Sequence, residues 1–209
     1  ENMDKWGIDV VLTAAQKCFG VPPGLAVLVL SEEAMGRRRR MDRISAYYAD
    51  LMRWLPIMKD PSRYFSTPCV NEIRAFLEGT KIILEEGLET RFKRHHKIAR
   101  AFRSGLKALG FRFFTDEEFL AETLTVAVYP SGVRDGIFRS TLFTNGVVVA
   151  GGLGPLAGKV FRIGHMGNLS FSQVEFAVSA IEKTLTSLSY LFESGCGVDA
   201  VKKSLAEEG

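Results

Sequence analysis

A chain of 209 residues, 46% of them apolar, is long enough to bury a sizeable core in one large domain or two small ones. Its net charge of +3 arises from lysines and arginines spread along the chain, and no apolar run approaches the roughly 20 residues that span a bilayer. This excludes a membrane helix and gives no charge-based ground for a nucleic-acid partner. Cys18, Cys69 and Cys196 stand far apart with no zinc or disulfide spacing, and no signal peptide opens the chain, so the expected compartment is the cytoplasm.

The first apolar run, residues 9–15, ends in small residues and reads as a buried strand. Pro22-Pro23-Gly24 reads as a stiff turn and residues 25–30 as a second strand. Lys17 falls between them and is expected to be partly buried where two core elements meet. Partial burial disfavours an ammonium ion, and only a neutral amine attacks a carbonyl. Taken alone, though, a lysine just beyond a strand more often snorkels to solvent or pairs with a carboxylate. The strand lies close behind Glu1 with no earlier element to pair with, so the chain reads as one whose front half is missing.

Ser31-Glu32-Glu33 suits a helix start, with a capping hydroxyl and acidic residues in the first turn. The run Arg37-Arg38-Arg39-Arg40 points in several directions on a helix and reads as solvated surface rather than a phosphate or RNA site. Tyr64-Phe65-Ser66-Thr67-Pro68 places three hydroxyls before the next helix. Capping is their ordinary use, and receiving a phosphate is the other. Over residues 70–109 apolar side chains recur at helical spacing. A single helix of that length would run about 60 Å at 1.5 Å per residue, so it is expected to kink near Gly79, Gly87 or Gly105, or to pass between domains. The basic patch at 91–103 is expected to be solvated, and adjacent His95 and His96 do not face one ligand, so no metal site is expected.

Beyond Gly110, strands are predicted at 111–114, 123–129, 146–150 and 160–163. Helices are predicted at 137–143, at 174–191 behind a capping box of Ser172 and Glu175, and at 198–208. A small sheet covered by helices is the economical arrangement. The glycine-rich stretch 151–158 lacks the Lys-Ser/Thr of a phosphate loop and reads as a flexible turn. Arg162 interrupts an apolar strand and is followed by Gly164 and Gly167. A guanidinium there needs a partner, either an internal Asp or Glu or the carboxylate of a ligand, which its planar fork meets with two parallel hydrogen bonds. His165 is expected to neighbour that site.

Asp9, Gln16, Lys17, Pro22, Pro23 and Gly24 together resemble the cofactor-lysine motif of the class V aminotransferases, pyridoxal-phosphate enzymes that include the alanine-glyoxylate and serine-pyruvate aminotransferases. Ala15 departs from the motif where serine is frequent. Tyr64 and Thr67 are similar to the family's Tyr-x-x-Thr segment, and the sequence from Arg162 to Gly167 to its Arg-Ile-Gly-x-Met-Gly substrate-carboxylate motif. The resemblance covers essentially the whole chain but only the second half of the family's length.

The resemblance implies an α/β pyridoxal-phosphate-dependent transferase fold (fold type I). Residues 1–95 would close the large mixed-sheet cofactor domain, including the long connecting helix, and residues 96–209 would form the small α+β C-terminal domain. Lys17 is implied as nucleophile and general base, Gln16 as a cofactor contact, Tyr64 and Thr67 as phosphate ligands reaching the other subunit of a homodimer, and Arg162 as the carboxylate clamp. The implied reaction moves an amino group from alanine or serine to glyoxylate or pyruvate, and the isolated 209 residues are expected to bind cofactor weakly and to be inactive. No nucleic acid, membrane or metal enters. One rival is a lyase on the same cofactor, such as a cysteine desulfurase, with Cys196 as its candidate nucleophile; such enzymes usually place His where Gln16 stands. The other is a non-catalytic basic module binding nucleic acid through 37–40 and 91–103, which leaves Lys17, Tyr64, Thr67 and Arg162 unexplained.

Overall fold

The computed structural model describes residues 2–207. Contacts divide the chain into two compact units, Glu1–Ile82 and Ile83–Gly209. Among the described residues no helix is long and apolar enough to cross a membrane.

The first unit is built on a hairpin. Helix α1 (Met3–Trp6), capped by Asn2 and closed by left-handed Gly7, precedes strand β1 (Val10–Ala14). Strand β2 (Ala26–Leu30) pairs antiparallel with β1 in a register running from Val10↔Leu30 to Ala14↔Ala26. Asp9 fastens the open end: Ser31 N donates to its carbonyl at 2.9 Å and Ser31 Oγ to its carboxylate at 2.6 Å. The same hydroxyl accepts from Ala34 N and caps α2 (Glu32–Arg39), where the sequence places a helix start. Helix α3 (Leu51–Lys59) holds Pro56 in its interior, a residue that ordinarily ends a helix, so its periodicity does not announce it. Asp50 caps it and takes both Nε and Nη2 of Arg38 at 2.8 Å.

The long helical stretch is two helices, α4 (Val70–Glu86) and α5 (Leu88–Ala108), because Gly87 adopts φ 79° and cannot continue the first. Gly79 and Gly105 stay helical. Their missing side chains serve close approach: a Cβ on Gly79 would stand 2.5 Å from Val21 Cγ1 and 3.0 Å from the Phe19 carbonyl oxygen, and one on Gly105 would stand 2.7 Å from Val201 Cγ2.

The second unit holds a four-stranded antiparallel sheet in the order β3 (Arg112–Phe113), β4 (Leu124–Val128), β6 (Val160–Gly164), β5 (Ala150–Gly151). With it go α6 (Asp135–Thr144), α7 (Phe171–Ser187) and α8 (Cys196–Ala206). Ile98 and Phe102 from α5, Phe138 from α6, Phe161 from β6 and Ile181 from α7 meet in one buried core. The strand predicted at 146–150 shrinks to Ala150–Gly151, since Val148 is 78% exposed and has no strand partner. The capping box of α7 is Ser170 with Gln173, two residues earlier than predicted: Ser170 N donates to Gln173 Oε1 at 2.8 Å and Gln173 N to Ser170 Oγ at 3.4 Å. Both pairs satisfy the sequence pattern, and only the chain direction chooses between them. The basic face of α5 is also less solvated than expected. Arg91 and Arg103 are 4% and 9% exposed, and Arg103 donates to Thr125 Oγ1 and to the Ala121 carbonyl.

Candidate active site

The turn after β1 is held by four backbone hydrogen bonds: Ala15 N to Leu25 O, Lys17 N to Ala14 O, Gly20 N to Lys17 O and Val21 N to Ala15 O. Ala15 is fully buried and points inward, while Gln16 and Lys17 are exposed. The expected partial burial of Lys17 is therefore corrected: the turn buries Ala15 and leaves Gln16 and Lys17 in solvent. Among the described residues, no hydrogen bond or ion pair occupies the Lys17 amine. Helix α4 braces the turn from one side, with Phe19 against Phe76 at 4.5 Å between ring centroids and Gly79 against Phe19 and Val21. At Gly24, φ 149°, the chain passes the Glu72 side chain closely enough that a Cβ would lie 3.1 Å from its Cγ.

Tyr64 and Thr67 sit on an extended segment between the 3-10 turn Pro61–Arg63 and α4, and both are exposed. Between them Phe65 is anchored by rings, with Trp54 at 5.1 Å, Tyr47 at 5.7 Å and Tyr48 at 6.0 Å. Trp54 Nε1 donates to the Tyr48 carbonyl at 2.6 Å, and the Arg53 guanidinium lies 3.6 Å over the Tyr47 ring. The segment thus presents two hydroxyls on either side of a fixed aromatic. The first unit brings Gln16 together with Lys17 on one turn and Tyr64 with Thr67 on one segment. Among the described residues no hydrogen bond joins the two pairs.

Arg162 belongs to the second unit, at the centre of β6, opposite Val126 on one side and Ala150 on the other. Its Nε donates to the Gly151 carbonyl at 2.9 Å, and no carboxylate among the described residues meets its fork. The internal ion pair that sequence left open is absent there. Nearby, Arg139 grips Asp135 through Nε and Nη2 at 2.9 and 2.8 Å, and Tyr129 donates to the same carboxylate at 2.8 Å. Arg139 also packs over Gly151, where a Cβ would lie 3.3 Å from the guanidinium. The Arg139 fork and its hydrogen bonds hold the Asp135 carboxyl below its usual range.

His165, expected at the site, is a core residue instead. It is fully buried, stacked on Phe102 at 6.0 Å, and accepts at Nε2 from Thr125 Oγ1 while donating from Nδ1 to the Glu122 carbonyl. Burial pushes its pKa down to about 4, so the ring is neutral, and the tautomer follows from Nδ1 facing a carbonyl.

A cluster that the sequence reading did not assemble surrounds the chain just after β6. Glu86 receives Arg91 Nη1 at 2.7 Å and Arg94 Nε at 2.5 Å, and those arginines reach on to Gly167, Asn168 and Leu169. Hydrogen bonds from both guanidiniums hold the Glu86 carboxyl down at about 2. The available signal was the spacing of Arg91 and Arg94 on one helix face, which the blanket reading of a solvated patch obscured.

Other candidates are quieter. Arg38, Arg39 and Arg40 pair with Asp50, Glu32 and Glu33. Cys196 opens α8, its thiol faces the Ala108 carbonyl, and burial pushes its pKa up, the opposite of what a nucleophilic thiol needs. A cavity of about 360 Å³ lies beside α5; His96 meets Glu122 and Lys107 meets Glu117 along it, and it contains none of the candidate residues.

The first unit thus presents the Lys17 amine on a braced hairpin turn, and the second presents the Arg162 fork without a carboxylate among the described residues. The aminotransferase class-V model matches residues 1–172, and the chain belongs to that family. It is 38% identical over 99% of its length to an uncharacterized aminotransferase of Methanocaldococcus jannaschii and 31% identical over 98% to a serine–glyoxylate aminotransferase of Arabidopsis thaliana, covering 54% and 51% of them. The crystal structure of ureidoglycine-glyoxylate aminotransferase from Bacillus subtilis superposes with a TM-score of 0.91 at 31% identity, over 98% of this chain and 54% of that one. The chain therefore spans about half the length of the relatives it matches, and its fold is α/β, that of the fold type I pyridoxal-phosphate-dependent transferases.

Proposed function

We propose that the chain supplies the amine and the carboxylate clamp of a pyridoxal-phosphate-dependent aminotransferase that moves an amino group from alanine or serine to glyoxylate or pyruvate. The observation that carries this reading is Arg162, oriented through Nε by a backbone carbonyl while its fork meets no internal carboxylate among the described residues. Family membership supports the reaction class, and glyoxylate in the names of both the Arabidopsis and the Bacillus relatives supports the acceptor.

The residues present suit the cofactor: an amine with no bond among the described residues on a turn held by the backbone, and two hydroxyls flanking an anchored ring. Pyridoxal phosphate, when bound, supplies a carbonyl and a conjugated ring that stores the electrons of the reacting carbon. Lys17 acts as the nucleophile and afterwards carries the proton at the substrate α-carbon. Gln16 contacts the cofactor beside it. Tyr64 and Thr67 donate their hydroxyls to phosphate oxygens, in this reading those of the neighbouring subunit of a homodimer. Arg162 holds the substrate carboxylate with two parallel bonds and so fixes the orientation of the bound acid. Residues 1–95 then serve the cofactor and 96–209 form the small domain, in an enzyme of the cytoplasm.

The test is an assay of a full-length version loaded with cofactor, using alanine and serine as donors and glyoxylate and pyruvate as acceptors. Two charge-assisted bonds at about 1.5 kcal/mol each make Arg162→Ala worth about a 100-fold loss in kcat/KM, carried mainly in KM for the amino acid. Turnover with none of the four pairs, or a loss under about threefold in the variant, would sink the reading.

A further inference from the structure

The second unit contains a support for Arg162 that rests on the clamp reading above and deepens it. Strand β6 ends at Gly164, and the chain crosses residues 165–169 before α7 begins. His165 N donates to the Thr123 carbonyl at 2.9 Å, which closes the strand end. Residues 167–169 are tied to α5: Arg94 Nη2 donates to Gly167 O at 3.0 Å, Arg94 Nη1 to Leu169 O at 2.8 Å, and Arg91 Nη2 to Asn168 Oδ1 at 3.1 Å.

Two guanidiniums so close, one of them 4% exposed, repel each other unless an anion lies between them. Glu86 is that anion. Its Oε1 accepts from Arg94 Nε at 2.5 Å and its Oε2 from Arg94 Nη2 at 3.0 Å and from Arg91 Nη1 at 2.7 Å, so one carboxylate fixes both forks. It is also the last residue of α4, next to the break at Gly87. Hydrogen bonding keeps it ionised through any working pH.

We infer that Glu86 is a positioning residue for the substrate carboxylate: through Arg91 and Arg94 it fastens residues 167–169, and with them the end of the strand on which Arg162 presents its fork. Neutralising Glu86 removes the carboxylate that orients both forks, loosens the segment, and lets β6 shift against β4, whose register places Arg162 opposite Val126. Sub-ångström displacement of a clamp costs affinity for the group it holds and spares chemistry elsewhere.

The experiment uses a full-length version loaded with pyridoxal phosphate. Glu86→Gln, Glu86→Asp and Asn168→Ala are compared for alanine KM, kcat, cofactor affinity, melting temperature, and the Kd of propionate, which has the carboxylate without the amine. Glu86→Gln is expected to raise both alanine KM and propionate Kd about tenfold, with kcat and cofactor affinity within about threefold. Glu86→Asp should restore most of the loss, and Asn168→Ala should raise propionate Kd about threefold even if the Gln variant does not fold. A melting temperature that falls while alanine KM and propionate Kd stay put overturns the inference, as does an unchanged propionate Kd in Asn168→Ala. Arg162→Ala runs alongside: if it leaves propionate Kd unchanged the clamp reading itself fails, and if it alone raises that Kd only the role of Glu86 fails.

Discussion

His165 is neutral inside the second unit, and this sets a pH dependence of folding. Burial lowers its pKa from 6.5 to about 4, roughly 3 kcal/mol in favour of the neutral ring. Below about pH 6.5 the unfolded chain takes up a proton on this ring that the folded unit refuses until about pH 4, so stability falls as the pH drops through that window and then levels. His95, lowered mainly by burial, adds in the same direction. Glu86 works lower: its stabilisation is complete above 4.5 and disappears as the pH approaches 2. Denaturant unfolding at pH 7 and pH 4.5 should show the loss, and His165→Gln should shrink it; equal stability at the two values contradicts the buried neutral ring. Single residues were also where sequence spoke most unevenly. Lys17 and Arg162 stand out in the sequence because an amine and a guanidinium lie beside apolar strands, where charge needs a reason. The burial of His165 was not legible, because a histidine three residues past a strand arginine looks the same whether it faces a ligand or a phenylalanine. The exposure of Lys17 was not legible either, since it depends on which way a turn swings.

At the scale of elements, three glycines spaced along one helical stretch look alike in sequence and do different things. Gly87 breaks the helix through a positive φ, whereas Gly79 and Gly105 let neighbours approach. The difference lies in what packs against each position, which periodicity cannot supply. Gly79→Ala is expected to cost about 1–3 kcal/mol, because its Cβ meets Val21 and the Phe19 carbonyl, and to displace the turn that carries Lys17. Unfolding of the variant measures the cost, and a stabilised variant, as an ordinary helical Gly→Ala would give, contradicts the close approach. Strands β4 and β6 and helices α2 and α6 followed from pattern and caps. Helix α3 did not, because Pro56 masks it, and the cap of α7 was misplaced because Ser170 and Ser172 each stand three residues before a suitable partner.

Across the molecule, stability is unevenly distributed. Nearly all fully buried apolar side chains belong to the second unit; among the described residues the first contributes Ala15 and Met35. Its hairpin leaves Val10, Leu12, Leu28 and Val29 about half exposed or more, and a two-stranded hairpin is marginal in water until its faces are covered. Hydrogen exchange on the 209-residue chain is therefore expected to show slow amides in α5, β4, β6 and α7 and fast ones in β1 and β2. Equal protection in both would contradict this division. The same imbalance supports the expectation that these residues alone hold cofactor weakly. The fold class followed from the motifs that resemble the class V family, and the strand and helix pattern added only a small sheet covered by helices; the cover of the hairpin depends on residues that pattern alone does not place. The claim on which all else depends is that Lys17 is the amine that meets the cofactor. It is tested by loading a full-length version with pyridoxal phosphate, reducing with borohydride, and mapping the labelled peptide. Label confined to the peptide bearing Lys17 is the expected result, and label absent from it, or spread evenly over exposed lysines, would contradict the claim.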